Sequence, residues 1–275
     1  MNERIIEQMR KMEDLHGLIK VYHSNDDEKI RLWTLEALMS INDPEVLSTF
    51  AEALSEDEDE EIRSFAAQAL GFLKNTHAVP VLMDALSSDP SGQVRSKAAS
   101  ALGRLKNPRT LKALIAALSD EHIAVRRNSA QALGLLGDLR AEKNLLELLG
   151  REEEDPNVYA SAIKALGKLK SQNAIPELKS LLVEDPPEKI IKAIIEALGW
   201  IGTQECLTIL MAFQQTNEKE SIKAELDMII EKLERFLLVS KPVEEDFSAV
   251  APLMNREKVD YKKILDRLNK LNNES

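Results

Sequence analysis

The sequence predicts an all-α fold, an α-solenoid of about six to seven stacked helix pairs, and three observations carry that prediction. First, Ala69-Leu70-Gly71, Ala101-Leu102-Gly103, Ala132-Leu133-Gly134, Ala165-Leu166-Gly167 and Ala197-Leu198-Gly199 repeat with glycines 32, 31, 33 and 32 residues apart. A self-similar period of that length marks a stacked repeat architecture. Second, aromatics make up only 4% of the 275 residues, and Ala, Leu, Glu and Lys dominate, a helix-forming composition. Third, two helices per period leave only about 10 to 13 residues each, too short to be stable alone, so stacking must supply their stability.

The elements follow in order. Residues 3–22 read as a first helix, with Leu15, Leu18, Ile19 and Tyr22 matching Leu47, Phe50, Ala51 and Leu54 one period later. After Asn25-Asp26-Asp27, residues 30–41 form a second helix with Ala37-Leu38-Met39 where later units carry Ala-Leu-Gly, a degenerate terminal repeat. Asn42-Asp43-Pro44 and Asn107-Pro108 open first helices, because Asp or Asn caps free amides and Pro fits the first helical position. Second helices open on Ile62-Arg63, Val94-Arg95 and Val125-Arg126 and close at the glycine. With repeat two as the ruler, positions 62, 66, 69, 70 and 73 form an apolar arc of roughly 100° that predicts the core. The recurrent glycine implies either a close helix–helix contact or a left-handed helix end, and the sequence leaves both open. Residues 221–239 read as a capping helix that ends an array of residues 1–239. Residues 240–256, with two prolines, the acidic run Glu244-Glu245-Asp246 and scattered Phe247, Val250 and Leu253, read as a linker. Residues 257–273 form an amphipathic helix through Val259, Ile264, Leu268 and Leu271, left to dock on the array, a second copy or a partner.

The unit formed by Ala113-Leu114-Ile115-Ala116-Ala117-Leu118-Ser119-Asp120, Val125-Arg126 and Ala130-Gln131-Ala132-Leu133-Gly134 resembles HEAT repeats, in particular the short HEAT-like repeats named after phycobilisome lyases. The resemblance covers about residues 12–215 and implies a right-handed solenoid. It also implies that Asp57, Asp89, Asp120 and Asp185 sit in the turns within repeats, with Arg63, Arg95 and Arg126 opening the second helices as a structural Asp–Arg ladder. Tyr159 and Ile191 replace the arginine in later repeats, where the ladder should fail. Such arrays serve as scaffolds, adaptors and occasionally enzyme subunits, and their second helices line the concave face.

Composition and motifs narrow the function. A net charge of −11 disfavours general attraction to nucleic acid or anionic lipid. The single Cys206 excludes an intrachain disulfide, and its neighbours Leu207 and Leu210 suggest a buried thiol. Neither a signal peptide nor a transmembrane run is legible, so a cytoplasmic protein is expected. His16, His23, His77 and His122 stand apart without ligand spacing, and no nucleophile elbow or phosphate loop occurs; the expectation is no catalysis, no metal and no cofactor. The acidic runs at 56–61 and 152–155 read as solvated helix starts.

The columns 64, 65, 68 and 72 of the second helices, taken as exposed, are more informative. Across the repeats they hold Lys97, Arg104, Arg127, Lys164, Lys168 and Lys192 against only Glu36 and Glu196, with Trp33, Phe65 and Phe72 at one end and Trp200 at the other. Aromatics on an exposed face are enriched at interfaces. The reading is a protein-binding scaffold or adaptor with a concave groove suited to an acidic protein or peptide. Its alternatives are a bilin lyase-like subunit and a nucleic-acid-binding HEAT-like protein.

Overall fold

The computed structural model of the chain describes residues 3–237 apart from 42, 152, 153 and 218, and fifteen α-helices lie among them. The linker at 240–256 and the helix at 257–273 fall outside the described residues, as do Asn42 and part of the acidic run at 152–155. The chain divides between Leu136 and Gly137 into two compact units.

In the first unit, α1 (Glu3–Lys11) precedes four helix pairs: α2 (Leu15–Ser24) with α3 (Glu28–Leu38), α4 (Pro44–Glu56) with α5 (Glu60–Leu73), α6 (Val79–Ser88) with α7 (Gly92–Leu105), and α8 (Leu111–Ala116) with α9 (Ile123–Leu136). The single helix expected over 3–22 is broken. Glu13 takes a left-handed conformation (φ 53°), and the Asp14 carboxylate accepts from the Gly17 amide to restart the chain as α2. The second unit holds three pairs: α10 (Glu142–Leu149) with α11 (Pro156–Lys168), α12 (Ile175–Val183) with α13 (Glu188–Ile201), and α14 (Gln204–Thr216) with α15 (Glu220–Leu237).

Side-chain capping sets most of the boundaries. Asp27, Asp43, Asp59, Asp155 and Thr203 each accept from an amide in the first turn of the helix they precede. Asn75, Asn107, Asp138 and Ser171 cap a 3-10 turn instead, and the α-helix begins only after it, at Val79, Leu111, Glu142 and Ile175. Asn107-Pro108 therefore starts a first helix one tight turn later than the Asn-Pro signal suggests.

The core follows four of the five expected columns, since Ile62, Ala66, Ala69 and Leu70 are buried, as are their counterparts Val94, Ala98, Ala101 and Leu102, whereas Leu73 is only half-buried. The burial is wider than one arc, however, because α5 packs between α3 and α7, α7 between α5 and α9, and α13 between α11 and α15. Ala67 and Gly71 are also buried, and so is much of column 64, with Ser64 at 3% exposure, Ser96 at 7% and Ala160 at 4%. Column 64 is therefore mostly a packing position and not part of an exposed face; Leu32, Arg127 and Lys192 are its half-buried members.

The glycine question is settled by what an added methyl would meet. A Cβ at Gly71 would stand 2.8 Å from Ala101 Cα, one at Gly103 would stand 2.8 Å from Ala132 Cα, and one at Gly167 would stand 2.5 Å from Ala197 Cα. The glycine of one repeat thus receives the alanine of the next Ala-Leu-Gly, and both must be small for the backbones to approach. The helix does not close there: α5 and α7 run two residues further, and the left-handed residues are Lys74 (φ 53°) and Lys106 (φ 49°).

A row of ion pairs ties consecutive repeats at the other end of the second helices. Arg63 Nε donates to Asp89 at 2.9 Å, and Arg95 Nε to Asp120 at 2.8 Å, each with a second bond from the guanidinium to the same carboxylate. The guanidinium also donates to carbonyls of its own turn, Asp57 and Glu58 for Arg63, Asp89 and Pro90 for Arg95. Each aspartate accepts an amide two residues on, from Asp59, Ser91 and His122 respectively for Asp57, Asp89 and Asp120. Arg31, which the sequence reading did not include, makes the first such rung to Asp57, where the Tyr22 hydroxyl also donates; burial pushes that phenol's pKa up. Arg126 donates to the carbonyls of Asp120 and Glu121. In the second unit the Tyr159 hydroxyl donates to the Leu149 carbonyl, Ile191 is buried, and Asp185, left-handed at φ 50°, pairs with Lys219 at 2.8 Å.

Two predictions follow from this packing. Gly103→Ala gains up to about 1 kcal/mol of helix propensity, yet its methyl meets backbone, so a net loss of about 1–3 kcal/mol is expected from denaturant melts. Gly199→Ala should lose less, because only the Ile229 side chain stands in its way, at 2.8 Å; equal or greater stability for the Gly103 variant would contradict the close-contact account. For the rung at Asp120, burial pushes the carboxyl up, but the Arg95 guanidinium and the His122 amide outweigh it and hold the pKa below the usual carboxylate value. A group depressed in the folded state stabilises fully above its unfolded pKa of about 3.9 and loses that contribution as pH falls through the folded value. Asp120→Asn should therefore cost about 1–3 kcal/mol at neutral pH and flatten the loss of stability below about pH 4; a variant melting like the parent at pH 7 would show the rung to be idle.

Candidate binding surface on the second helices

The residues that follow Gly103, Gly134 and Gly199 lie over the notches that Gly71, Gly103 and Gly167 leave. A Cβ at Gly71 would stand 3.5 Å from Arg104 Cδ, one at Gly103 3.6 Å from Leu135 Cδ1, and one at Gly167 3.0 Å from Trp200 Cε3. The side chain following the glycine of one repeat thus folds back across the glycine of the repeat before it.

In the first unit this arrangement brings together Phe72, Arg104 and Leu135 on α5, α7 and α9. The Arg104 guanidinium carbon lies 4.5 Å from the centre of the Phe72 ring. Phe72 is 47% exposed and Leu135 37%, so the stacked cation is flanked by open apolar surface. A cation over an exposed ring is worth about 0.5–1 kcal/mol and holds the long arginine side chain in one place before any partner arrives. Phe65 belongs instead to the rim of the core, tilted on buried Phe50 at 6.2 Å between ring centres. Trp33 is half-buried on α3, which also receives α1.

In the second unit Lys168 Nζ lies 5.5 Å from the Trp200 ring centre, and Trp200 is half-buried. The indole leans toward α11 across Gly167.

The other cations of the expected basic face are engaged within the protein. Lys164 pairs with Glu196 at 2.8 Å and Lys192 with Glu188 at 2.6 Å. Lys97 donates to the Gln68 amide oxygen at 2.7 Å, and Arg127 donates to Asn128, which itself donates to the Ser96 hydroxyl. Arg104 and Lys168 have neither a carboxylate nor an amide partner among the described residues and lie over rings instead. Carboxylates therefore neutralise Lys164 and Lys192, and of the remaining cations Arg104 and Lys168 are the two that stack on rings. Leu135 and Lys232, the latter the counterpart of Arg104 on α15, were missed. Leu135 follows Gly134 and could have been found, whereas Lys232 lacks an Ala-Leu-Gly marker and is recognised only from Ile229 seating on Gly199.

Groups with acid–base or nucleophilic chemistry lie elsewhere. Cys206 is buried in α14, and burial pushes its thiol pKa up. His16 and His23 face Glu45 and Glu52 from α2, His77 sits in a 3-10 turn, and His122 covers Gly92. Among the described residues no group of three or more His, Cys, Asp or Glu side chains could hold a metal ion, and no helix is long and apolar enough to cross a membrane.

Comparison with known proteins gives a consistent picture. A stretch of 100 residues is 38% identical to phycocyanobilin lyase subunit alpha of Picosynechococcus sp., covering 32% of this chain and 37% of that protein, so the match spans little more than a third of the curated relative. Among solved structures, the complex of CpcE and CpcF of phycocyanin lyase from Nostoc sp. PCC7120 matches with a TM-score of 0.51 at 24% identity, over 78% of this chain and 95% of that one. The E. coli protein YibA matches with a TM-score of 0.58 at 17% identity, over 93% and 96%. These structural likenesses speak for the fold alone. The family model for HEAT repeats matches residues 15–96, 79–154 and 142–227, which together span most of the sequence, and the chain belongs to the HEAT-repeat family.

Proposed function

We propose that the chain is a binding subunit of bilin-lyase type, a HEAT-repeat protein that holds a protein partner, and with it a tetrapyrrole, against the exposed ends of its second helices. The observation that supports this is the 38% identity to a phycocyanobilin lyase alpha subunit. The surface of the first unit suits the task. A bilin is an extended conjugated system carrying carboxylates, and Phe72, Arg104 and Leu135 offer a ring, a pre-positioned cation and an apolar flank in one row. The same row suits an acidic residue beside an apolar one on a protein.

A second reading, a scaffold for an acidic protein without any pigment, is favoured by the placement of Cys206 and the histidines away from this row. Nucleic-acid binding draws less support, since Lys164 and Lys192 are already paired with carboxylates.

The test is absorbance of phycocyanobilin added to the full chain, alone and with a co-purified partner. A shifted and intensified band is expected, weakened about fivefold in apparent affinity by Arg104→Glu or Phe72→Ala, which corresponds to roughly 1 kcal/mol for an exposed contact. Lys164→Glu should have little effect, because that cation already serves Glu196. An unshifted band together with partner capture that remains sensitive to Arg104→Glu would replace the pigment reading with the scaffold reading. Indifference of both to Arg104→Glu and Phe72→Ala would reject this surface.

A further inference from the structure

The second unit carries its own row. α11, α13 and α15 pack in sequence, with Ala197 seated on Gly167 and Ile229 on Gly199, so Lys168, Trp200 and Lys232 occupy equivalent positions on three neighbouring second helices. Lys168 lies over the indole. Lys232 is exposed and, like Lys168, has no carboxylate partner among the described residues; the adjacent acid, Glu231, is bound by Arg235. Nearby Glu196 is taken by Lys164 and Glu188 by Lys192. Two cations without a carboxylate partner among the described residues thus stand on the helices to either side of the one that carries the half-buried Trp200, a surface complementary to an acidic segment that also carries an aromatic side chain.

The chain itself contains such a segment. The described part of α15 reaches Leu237, five residues beyond Lys232, and Glu244-Glu245-Asp246-Phe247 begins seven residues after Leu237. Seven residues span at most about 23–25 Å. Packed helices lie about 8–10 Å apart, so Trp200 is one helix spacing from α15 and Lys168 two. The acids can therefore reach both cations, and the tether gives them an effective concentration on the order of millimolar.

We propose that the segment from Glu244 to Leu253 docks on this row in the isolated protein, with its acids paired to Lys168 and Lys232 and Phe247 against Trp200. This goes beyond the proposed function, which concerns an external partner on the first unit, and does not depend on it.

The chain has two tryptophans, so Trp33→Phe in the full chain leaves Trp200 as the reporter. In that background, reversing the acids (Glu244→Lys, Glu245→Lys and Asp246→Lys) should red-shift the emission and raise the acrylamide quenching constant about twofold or more, as the indole loses its cover. Lys168→Glu with Lys232→Glu should do the same from the other side, and combining the two sets should restore the protection. Trp200 emission and quenching indifferent to the acid reversal, with the melting temperature unchanged, would overturn the proposal. Protection that disappears on dilution would also overturn it, since the segment would then come from a second copy. Binding of phycocyanobilin or a partner at Phe72 and Arg104 is a separate readout, so either proposal can fail while the other stands.

Discussion

Consecutive second helices approach so closely that their backbones touch through glycine and alanine, and most other features answer to that contact. At Gly71, Gly103 and Gly167 the obstacle to a methyl is the Cα of the next repeat, which cannot swing aside as a side chain would. The helices are 13 or 14 residues long at these positions, and their stability comes from stacking far more than from propensity. A glycine inside a helix is unfavourable on propensity alone. Its recurrence makes sense because each one opens contact with the flank of the neighbouring helix along a full turn.

The close contact governs the middle and C-terminal part of the second helices, and the arginine rungs govern their start. Arg31, Arg63 and Arg95 each link the turn of their own repeat to the aspartate of the next, with the aspartate simultaneously holding an amide of its turn. These side chains are largely removed from solvent, 10–16% exposed for the arginines, so their bidentate bonds are spared the screening that makes surface pairs weak. Two constraints at opposite ends of a helix fix both its separation from and its rotation against the next. In the second unit Tyr159 and Ile191 take the arginine positions, and Ile191 replaces ionic linkage with apolar burial.

What was legible in the sequence was whatever repeats. The period, the apolar columns and the placement of aspartates in turns are each stated several times over, so an error at one repeat is corrected by the others. Features that depend on a neighbour were not legible. Ser64 and Ser96 look like surface residues on a single helix and are buried only because another helix lies beside them. Lys164 and Lys192 look like members of a basic face, but their partners Glu196 and Glu188 lie one repeat and one turn away. The break at Glu13 stands in one place only, and an apolar pattern continuous across it concealed the cap at Asp14. Arg31 was within reach of the period, since it follows Ile30 as Arg63 follows Ile62, although its repeat carries Ala37-Leu38-Met39 in place of Ala-Leu-Gly.

The glycine also does more than let two backbones meet. Because it has no side chain, the residue three positions beyond the seated alanine can fold across it, and there Arg104, Leu135 and Trp200 lie. That seat explains why ring and cation meet at Phe72 with Arg104 and again at Lys168 with Trp200, although the order of the two partners is reversed. The position is geometrically fixed by the packing yet chemically unconstrained by it, as arginine, leucine and tryptophan all occupy it. The glycine serves the stack, and the packing leaves the side chain after it free to vary.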